Sequence, residues 1–448
     1  MSDNINLKKG LDIPIKGVAD RKVKKTVVSD VVALKPTDFK GLVPRLLVKE
    51  GDRVLAGSPV FADKQNPDIL FPSPASGTVK QVVRGEKRKL LAVLVETDKQ
   101  QEYVDFGVHD PAAMTADQVK DLLLKSGLWG ALVQRPYGTL ADPARKPKAI
   151  FVSAFNTAPL AADPDFALGD QAAAVQAGLT ALSKLTDGGV HLCLSGKTYS
   201  SSPFHKMEGV IVHVVNGRHP AGNVGVQISH IDPIRKGETV WTVSLLLVAA
   251  IGKVLTTGKL DLTRKVAVTG PMAPTPAYVI ALPGTPVKEL AAIPEGVRVI
   301  GGDVLTGEIL GKQGYLGFFQ NQITLLNEGY DREWFGWAKP FRPKVHSSSP
   351  CYFSWLTPGK KYDMDTNLHG DPRAFVETKC FEDVTPMDIF PIYLIKACLA
   401  GDIDKMEQFG IYEVLPEDLA LCDYVDPSKN DIQAILGDGI DLMRKEMA

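Results

Sequence analysis

The strongest restriction on the fold comes from short extended segments between Val43 and Glu96, which glycines and prolines interrupt at regular places. The pattern Glu-Gly-Asp-x-Val-x-x-Gly contains Gly51 and Gly57, which suit turns that need a positive φ. Gly77 lies in a later β-branched run, where the missing side chain allows two strands to approach closely. Such segments predict hairpins. This part of the chain is therefore expected to form a small β domain.

The length of the chain requires further domains. At 448 residues, about three or four domains are expected. Helix and strand signals alternate between Pro111 and Thr257, which predicts a largely parallel α/β sheet. Strand signals dominate from Leu262 to Leu326, and helix signals dominate from Asp331 to Ala448. The predicted fold class is α/β and α+β multidomain.

Hydropathy and charge exclude several classes of partner. The longest apolar run, Trp241 to Ile251, is about half of the ~20 residues that cross a bilayer, which predicts a buried core helix instead. The polar start, Met1 to Gly10, lacks the apolar stretch of a signal peptide. A formal net charge of -1 gives no basic face for nucleic acid. We expect a cytoplasmic protein with no nucleic-acid partner, in which any membrane association comes through other proteins.

No metal site is predicted. The histidines His205, His213, His219 and His230 fit no metal-ligand spacing, and no acidic pattern completes a zinc set. The cysteines form no Cys-x-x-Cys pair, which argues against zinc, redox-pair and local iron–sulfur sites. These dispersed cysteines are Cys193, Cys351, Cys380, Cys398 and Cys422.

Two lysines lie in motifs that match only in part. The turn pattern of residues 43–96 resembles the barrel-sandwich hybrid of lipoyl and biotinyl domains, whose carrier lysine lies at a hairpin tip. Lys64 is too close to Gly51 for that position, so we predict a solvated turn lysine, and a lipoyl or biotinyl carrier is an alternative hypothesis. Lys197 ends a segment like that of a phosphate-binding loop. Position 191, where that loop needs glycine, holds a histidine, so nucleotide binding is not expected.

The order of the modules resembles two related redox families. One is the NADH-binding flavoprotein subunit of respiratory complex I. The other is the group of A-type and C-type subunits of Na+-translocating NADH:quinone oxidoreductases and ferredoxin-linked membrane oxidoreductases. The resemblance to the A-type subunit of the Na+-translocating enzymes runs along the whole chain in three long motifs. They are residues Leu7 to Gly17, Phe155 to Pro164 and His219 to Gly225.

The resemblance implies four domains. Residues 1–105 would hold an N-terminal segment with a lipoyl-like barrel-sandwich hybrid, and residues 106–258 a Rossmann-like α/β domain. Residues 259–330 would form a β-grasp domain, and residues 331–448 a helical C-terminal domain.

The resemblance also implies that cofactor sites have been lost. The flavoprotein family has a glycine cradle through which backbone N–H groups reach the flavin phosphate, and this chain has Ala131, Leu132 and Val133 there. Phe155 and Asn156 replace an acidic pair of the nucleotide site, and the cysteine run of the iron–sulfur cluster is missing. Flavins, the iron–sulfur centre and NADH are therefore expected on partner subunits, and no catalytic residue is predicted in this chain.

The function implied is that of a cofactor-poor subunit of a Na+-translocating NADH:quinone reductase, with a scaffold role and a role in quinone access. Integral-membrane subunits would be among its partners. His219, Trp334 and Trp337 are the candidate quinone or partner contacts, the two tryptophans because exposed aromatics are typical of interfaces. A structural histidine whose hydrogen bonds are satisfied is the alternative for His219. Domain-interface packing is the alternative for the aromatic stretch. A stand-alone flavin or NADH oxidoreductase is the alternative function.

Overall fold

The computed structural model describes residues 3–330, 333–339, 341–348, 353–376 and 379–446. The strands are β1 (Asp3–Asn6), β2 (Asp20–Thr26), β3 (Val31–Leu34), β4 (Pro44–Leu46), β5 (Arg53–Val54), β6 (Pro59–Asp63), β7 (Leu70–Pro72), β8 (Gly77–Arg84), β9 (Leu90–Thr97), β10 (Val133–Arg135), β11 (Thr139–Leu140), β12 (Ile150–Ser153), β13 (Val190–Ser195), β14 (Ile211–Asn216), β15 (Val240–Thr242), β16 (Arg264–Thr269), β17 (Ala277–Ala281), β18 (Val297–Gly301), β19 (Glu308–Ile309) and β20 (Gln322–Asn327). The helices are α1 (Ala116–Ser126), α2 (Pro164–Leu168), α3 (Ala172–Leu182), α4 (Val224–Ile231), α5 (Leu245–Thr257), α6 (Val287–Leu290), α7 (Cys380–Val384), α8 (Pro391–Ala400), α9 (Ile403–Gln408), α10 (Ala420–Val425) and α11 (Ile432–Glu446).

The predicted β domain is confirmed as two small facing sheets. One has the order β3-β9-β8-β5, and the other has the order β4-β6-β7. Phe61 and Phe71 stack with ring centroids 5.0 Å apart, and Phe39 packs edge-on against Phe71 at 4.4 Å. Both predicted turn glycines, Gly51 and Gly57, have positive φ. These rings belong to a core that continues into the rest of the molecule, because Phe39 also packs against Phe318 at 5.1 Å.

The second sheet is mixed and mostly parallel, as the alternating pattern predicts. Its order is β1-β14-β13-β12-β15-β10-β11, and the first five strands in this order run parallel to one another. The last two strands are antiparallel additions at one edge. The sequence also predicts a helix from Ala116 to Ser126, with Thr115 as its N-cap and Gly127 as its end. Helix α1 has these bounds, because Thr115 forms a capping box and Gly127 ends the helix in the left-handed region.

The long apolar run does not form one helix. It begins in β15 and continues in α5, with Ser244 between them as the N-cap that accepts a hydrogen bond from the Leu247 N–H. The predicted buried helix is therefore correct from Leu245 onward and wrong for Trp241 and Thr242. Across the described residues, no helix is both long and apolar enough to cross a bilayer.

The N-terminal segment is shared among the domains. Strand β1 pairs with β14 of the α/β sheet, and β2 pairs with β17 of a six-stranded sheet ordered β19-β18-β20-β16-β17-β2. Every residue of β2 is exposed, so the strand has no apolar alternation that would reveal it in the sequence. The four-domain division stays a prediction.

The C-terminal helices α7 to α11 surround a core of their own. The sequence predicts helices from Met387 to Ala400 and from Ile403 to Gln408. Helix α8 begins at Pro391 instead of Met387, because proline is favoured in the first turn of a helix, and α9 has the predicted bounds. The fully buried side chains of this core include Leu394, Leu419 and Leu436.

Candidate ligand-binding cleft

A cleft of about 370 Å³ opens at the carboxyl ends of β12 and β15. Strand β13 lies on one side of β12 and β15 lies on the other, so the chain reverses its direction of strand addition at this point. Ligands of open α/β sheets bind at such topological switch points, outside the carboxyl ends of the strands. The position of the cleft is therefore that of a binding site.

Three parts of the fold form the walls of the cleft. Ser153 ends β12, Phe155 follows that strand, and Ser244 caps α5 after β15. The six-stranded sheet and the helical domain close the other side. Those two regions contribute Asp303, Thr306, Phe319, Asn321 and Glu417.

His219 reaches the cleft because the N-terminal segment holds its loop. The Leu11 N–H donates to the carbonyl oxygen of His219 at 2.9 Å, and the His219 N–H donates to Oδ1 of Asp12 at 3.0 Å. A Cβ on Gly10 would lie 2.4 Å from the His219 carbonyl oxygen, so only glycine allows this approach. Two motifs far apart in sequence therefore meet here.

The imidazole of His219 is oriented by Thr157. Nδ1 lies 3.2 Å from the Thr157 hydroxyl, and the Gly222 N–H donates to the same hydroxyl oxygen at 2.9 Å. The Thr157 hydrogen is then available for Nδ1, which favours the tautomer that carries its proton on Nε2. His219 is 2% exposed, and Nε2 has no hydrogen-bond partner among the described residues. A buried donor left without a partner costs free energy unless a ligand or water satisfies it.

The charge of the cleft is acidic. Asp303 and Glu417 are its charged lining residues, and no lysine or arginine is among the lining residues described. Burial lowers the pKa of His219, against the smaller raising effects of Asp303 and Asp12, so its ring is neutral at pH 7. This environment disfavours a phosphate and accommodates a neutral ligand.

An ion pair fixes the floor beside Glu417. Arg135 at the end of β10 donates from Nη1 to Oδ2 of Asp418 at 2.8 Å and from Nη2 to Oε1 of Glu417 at 2.6 Å. The side chains of Arg135 and Asp418 are 1% and 0% exposed. The pair joins the α/β sheet to the helical domain.

The structure brings several predicted residues to one place. Ala131, Val133, Phe155 and Asn156, where flavin and NADH sites were expected to be lost, all line the cleft together with His219. Leu132 points elsewhere and is fully buried in the main core. Trp334 is not among the lining residues of this cleft.

Trp334 is 82% exposed, and Tyr330, Phe335 and Phe341 are exposed as well. The side chain of Trp337 lies outside what the structure describes.

The other histidines do not join His219. His191 and His213 stack with ring centroids 5.1 Å apart on neighbouring strands. His205 bonds the carbonyl of Ser202, and His230 bonds that of Val226. In the described part of the chain, no group of three or more His, Cys, Asp or Glu side chains is placed to hold a metal.

The two lysines lie on surface turns. Lys64 is exposed in the β6–β7 turn. Lys197 follows β13 and is succeeded by a 3-10 turn at Tyr199–Ser201, whereas a phosphate-binding loop leads into an α-helix.

Sequence reasoning missed the acidic side of the cleft. Asp303, Asn321 and Glu417 lie in domains far along the chain, and no motif marks them. A buried arginine needs a carboxylate partner, so Arg135 could have pointed to an acidic residue elsewhere in the chain. The residues next to Arg135 in sequence do not show that it is buried, so this signal could not be used.

Comparison with known proteins assigns the family. Models described as the NqrA N-terminal barrel-sandwich hybrid domain, the NqrA second alpha/beta domain and the NQRA C-terminal domain match residues 5–98, 114–260 and 265–311. The first two confirm a mixed α/β multidomain chain with an N-terminal barrel-sandwich domain. The names Rossmann-like and β-grasp stay predictions.

Relatives that match along the full length of the chain belong to the same family as these models. The A-type subunit of the Na(+)-translocating NADH-quinone reductase from Rhodopirellula baltica is 38% identical over 449 residues, covering 98% of each chain. The same subunit from Serratia proteamaculans is 38% identical over 451 residues, covering 99% of this chain and 100% of the relative. An NAD+-reducing [NiFe]-hydrogenase in the H2-reduced state has a TM-score of 0.37 at 12% identity, over 75% of this chain and 62% of its own. From the two relatives, the chain belongs to the NqrA family, the A-type subunits of the Na+-translocating NADH-quinone reductases.

Proposed function

We propose that this chain is the cofactor-poor subunit of a complex that passes electrons from NADH to a quinone and exports sodium. It serves as a scaffold on the cytoplasmic face of the inner membrane, attached through integral-membrane subunits. Flavins, the iron–sulfur centre and the NADH site lie on the partner subunits. The chain has no independent catalysis. Its membership of the NqrA family supports this role.

The cleft adds a second role, in quinone access. A quinone ring is neutral, flat and apolar, with carbonyl oxygens that accept hydrogen bonds. Phe155 and Phe319 supply apolar aromatic walls, and the partner-free Nε2 of His219 supplies a donor. That buried nitrogen is the single observation that carries the assignment, since a quinone carbonyl would satisfy it.

A flavin or nicotinamide ligand fits the same cleft poorly. Flavin nucleotides and NADH carry phosphates, which would face the carboxylate of Asp303, while the guanidinium of Arg135 beside the cleft is already paired with Glu417 and Asp418. Ala131 and Val133 also occupy the wall where the flavoprotein family has glycines. A stand-alone flavin or NADH oxidoreductase is therefore disfavoured.

Replacing His219 tests the quinone role. His219→Phe in the assembled reductase removes the Nε2 donor and should raise the KM for quinone about tenfold, the effect of roughly 1.4 kcal/mol from one hydrogen bond. The KM for NADH should not change. His230→Phe replaces a histidine that lies outside the lining of the cleft and is the matched control. An unchanged KM for quinone in His219→Phe would remove His219 from the quinone path.

A further inference from the structure

The region after the six-stranded sheet has an unusual composition. From Trp334 to Tyr362 the sequence contains no aspartate and no glutamate, although the chain as a whole has 52 acidic residues. We call the described residues from 333 to 362 the aromatic strap. Its cations are Lys339, Arg342, Lys344, Lys360 and Lys361.

The strap exposes large apolar side chains. Within the described residues, no exposed phenylalanine, tyrosine or tryptophan precedes Tyr330. Trp334 is 82% exposed, so domain-interface packing does not account for this side chain. The further exposed side chains of the strap are Phe335 at 54%, Phe341 at 66%, Phe353 at 46%, Trp355 at 58% and Leu356 at 60%.

Part of the positive charge of the strap remains uncompensated. Glu333, at its start, pairs with Lys339 at 2.7 Å and also contacts Arg342, which is buried. Lys360 lies over the ring of Tyr362. Lys344 and Lys361 are exposed and form no ion pair with the described residues. The outward face is therefore apolar and weakly basic.

We propose that the aromatic strap docks on another subunit of the same reductase, on a surface that combines exposed carboxylates with apolar side chains. The inference rests on the proposed function, which requires a partner subunit. Interface cores are rich in aromatic residues and poor in acidic residues, and the strap shares both features. A partner face with exposed carboxylates would complement its free lysines.

The backbone of the strap favours a protein over a lipid surface. Its described helical elements are two single 3-10 turns, Gly336–Ala338 and Ser354–Leu356, and the rest is irregular. Irregular backbone that enters hydrocarbon leaves N–H and C=O groups without partners, at a cost of several kcal/mol for each group. A protein partner can supply those hydrogen bonds.

Two strap variants in the complete complex test this docking. One reverses charge with Lys344→Glu and Lys361→Glu, and the other removes anchors with Trp334→Ser and Trp355→Ser. The matched controls are Lys87→Glu with Lys99→Glu and Val108→Ser with Ile309→Ser, all at exposed positions outside the strap. The measurement is recovery of each chain on a tagged membrane subunit at increasing salt.

The anchor variant should lower recovery about tenfold, as expected for central tryptophan anchors. The charge variant should weaken binding most at low salt, and both controls should bind like the wild type. Unchanged melting temperatures of the isolated variants would show that they fold.

Strap variants that are recovered like the wild type would overturn the docking proposal and leave the proposed function intact. A wild-type chain that is recovered with no other subunit would instead overturn the proposed function. Vesicles of phosphatidylserine and phosphatidylcholine test the lipid alternative. If strap variants lost vesicle binding but kept the complex, a lipid contact would replace subunit docking.

Discussion

Gly222 shows how one missing side chain keeps the cleft in shape. A Cβ at this position would lie 2.6 Å from the Thr157 nitrogen and 3.0 Å from its hydroxyl oxygen. The same hydroxyl orients the imidazole of His219. The motifs around residues 157 and 222 therefore serve one contact, which orients a histidine that lines the cleft.

Gly222→Ala should disturb that contact. The added methyl group forces Thr157 away, which should cost about 1–3 kcal/mol of stability and raise the KM for quinone. Thermal unfolding and steady-state kinetics of the reductase measure both effects. Gly370→Ala, where a Cβ meets no atom within 4 Å, should change neither. If Gly222→Ala matched this control, close packing at residue 222 would not be what holds Thr157 in place.

At the residue scale, the sequence identifies residues of one wall of the cleft. Ala131, Val133, Phe155 and Asn156 stand out for the chemistry that they lack, and they line one wall. Glu417 does not stand out, because the pairing of distant domains brings it to the cleft. Local patterns carry no information about such pairing, so only the wall within one domain was predictable.

At the scale of elements, prediction succeeds where the signals are local. Helix α1 has its predicted bounds because the capping residue and the terminal glycine are both in the sequence. Strand β2 was missed because it is an exposed edge strand whose position depends on β17. The apolar run was predicted as a single helix, but the structure divides it into a strand and a helix, because Ser244 caps α5.

Glu413, between α9 and α10, makes the stability of the helical domain depend on pH. Burial raises the pKa of Glu413 from its usual value of 4.5 to about 7, and Asp388 adds to the effect. The folded state then binds this proton more tightly than the unfolded state. The contribution of Glu413 to stability is therefore complete below about pH 4.5 and is lost as pH rises through 7.

Glu413→Gln removes this titration. The fall in melting temperature between about pH 5 and pH 8 should be shallower in the variant than in the wild type. Thermal unfolding across that range measures the difference. Glu295→Gln, at an exposed site, should retain the wild-type profile. A variant as steep as the wild type would show that Glu413 does not titrate in this range.

At the scale of the whole molecule, the buried pair of Arg135 and Asp418 links the α/β sheet to the helical domain next to the cleft. Asp418 also accepts the Leu415 N–H at 3.0 Å, and a Cβ on Gly225 would lie 2.2 Å from its Oδ2. The geometry of the cleft thus depends on how two domains meet.

Asp418→Leu alone leaves the buried Arg135 with Glu417 as its remaining ion-pair partner and should destabilise the chain by about 3 kcal/mol. The double change with Arg135→Met should recover much of that loss, because both members of the fully buried pair are gone and the carboxylate of Glu417, which is 44% exposed, can be hydrated. Equilibrium denaturation of wild type, both single variants and the double variant gives the coupling free energy. Purely additive losses would mean that the pair does not hold the domains together.

Purification of the tagged chain from detergent-solubilised membranes of its own host tests the central claim most directly. The eluate is assayed for NADH:quinone reduction with and without sodium. We expect co-purification with integral-membrane subunits and sodium-stimulated activity, with flavin on those partners. A chain recovered alone, carrying flavin and oxidising NADH by itself, would contradict the assignment.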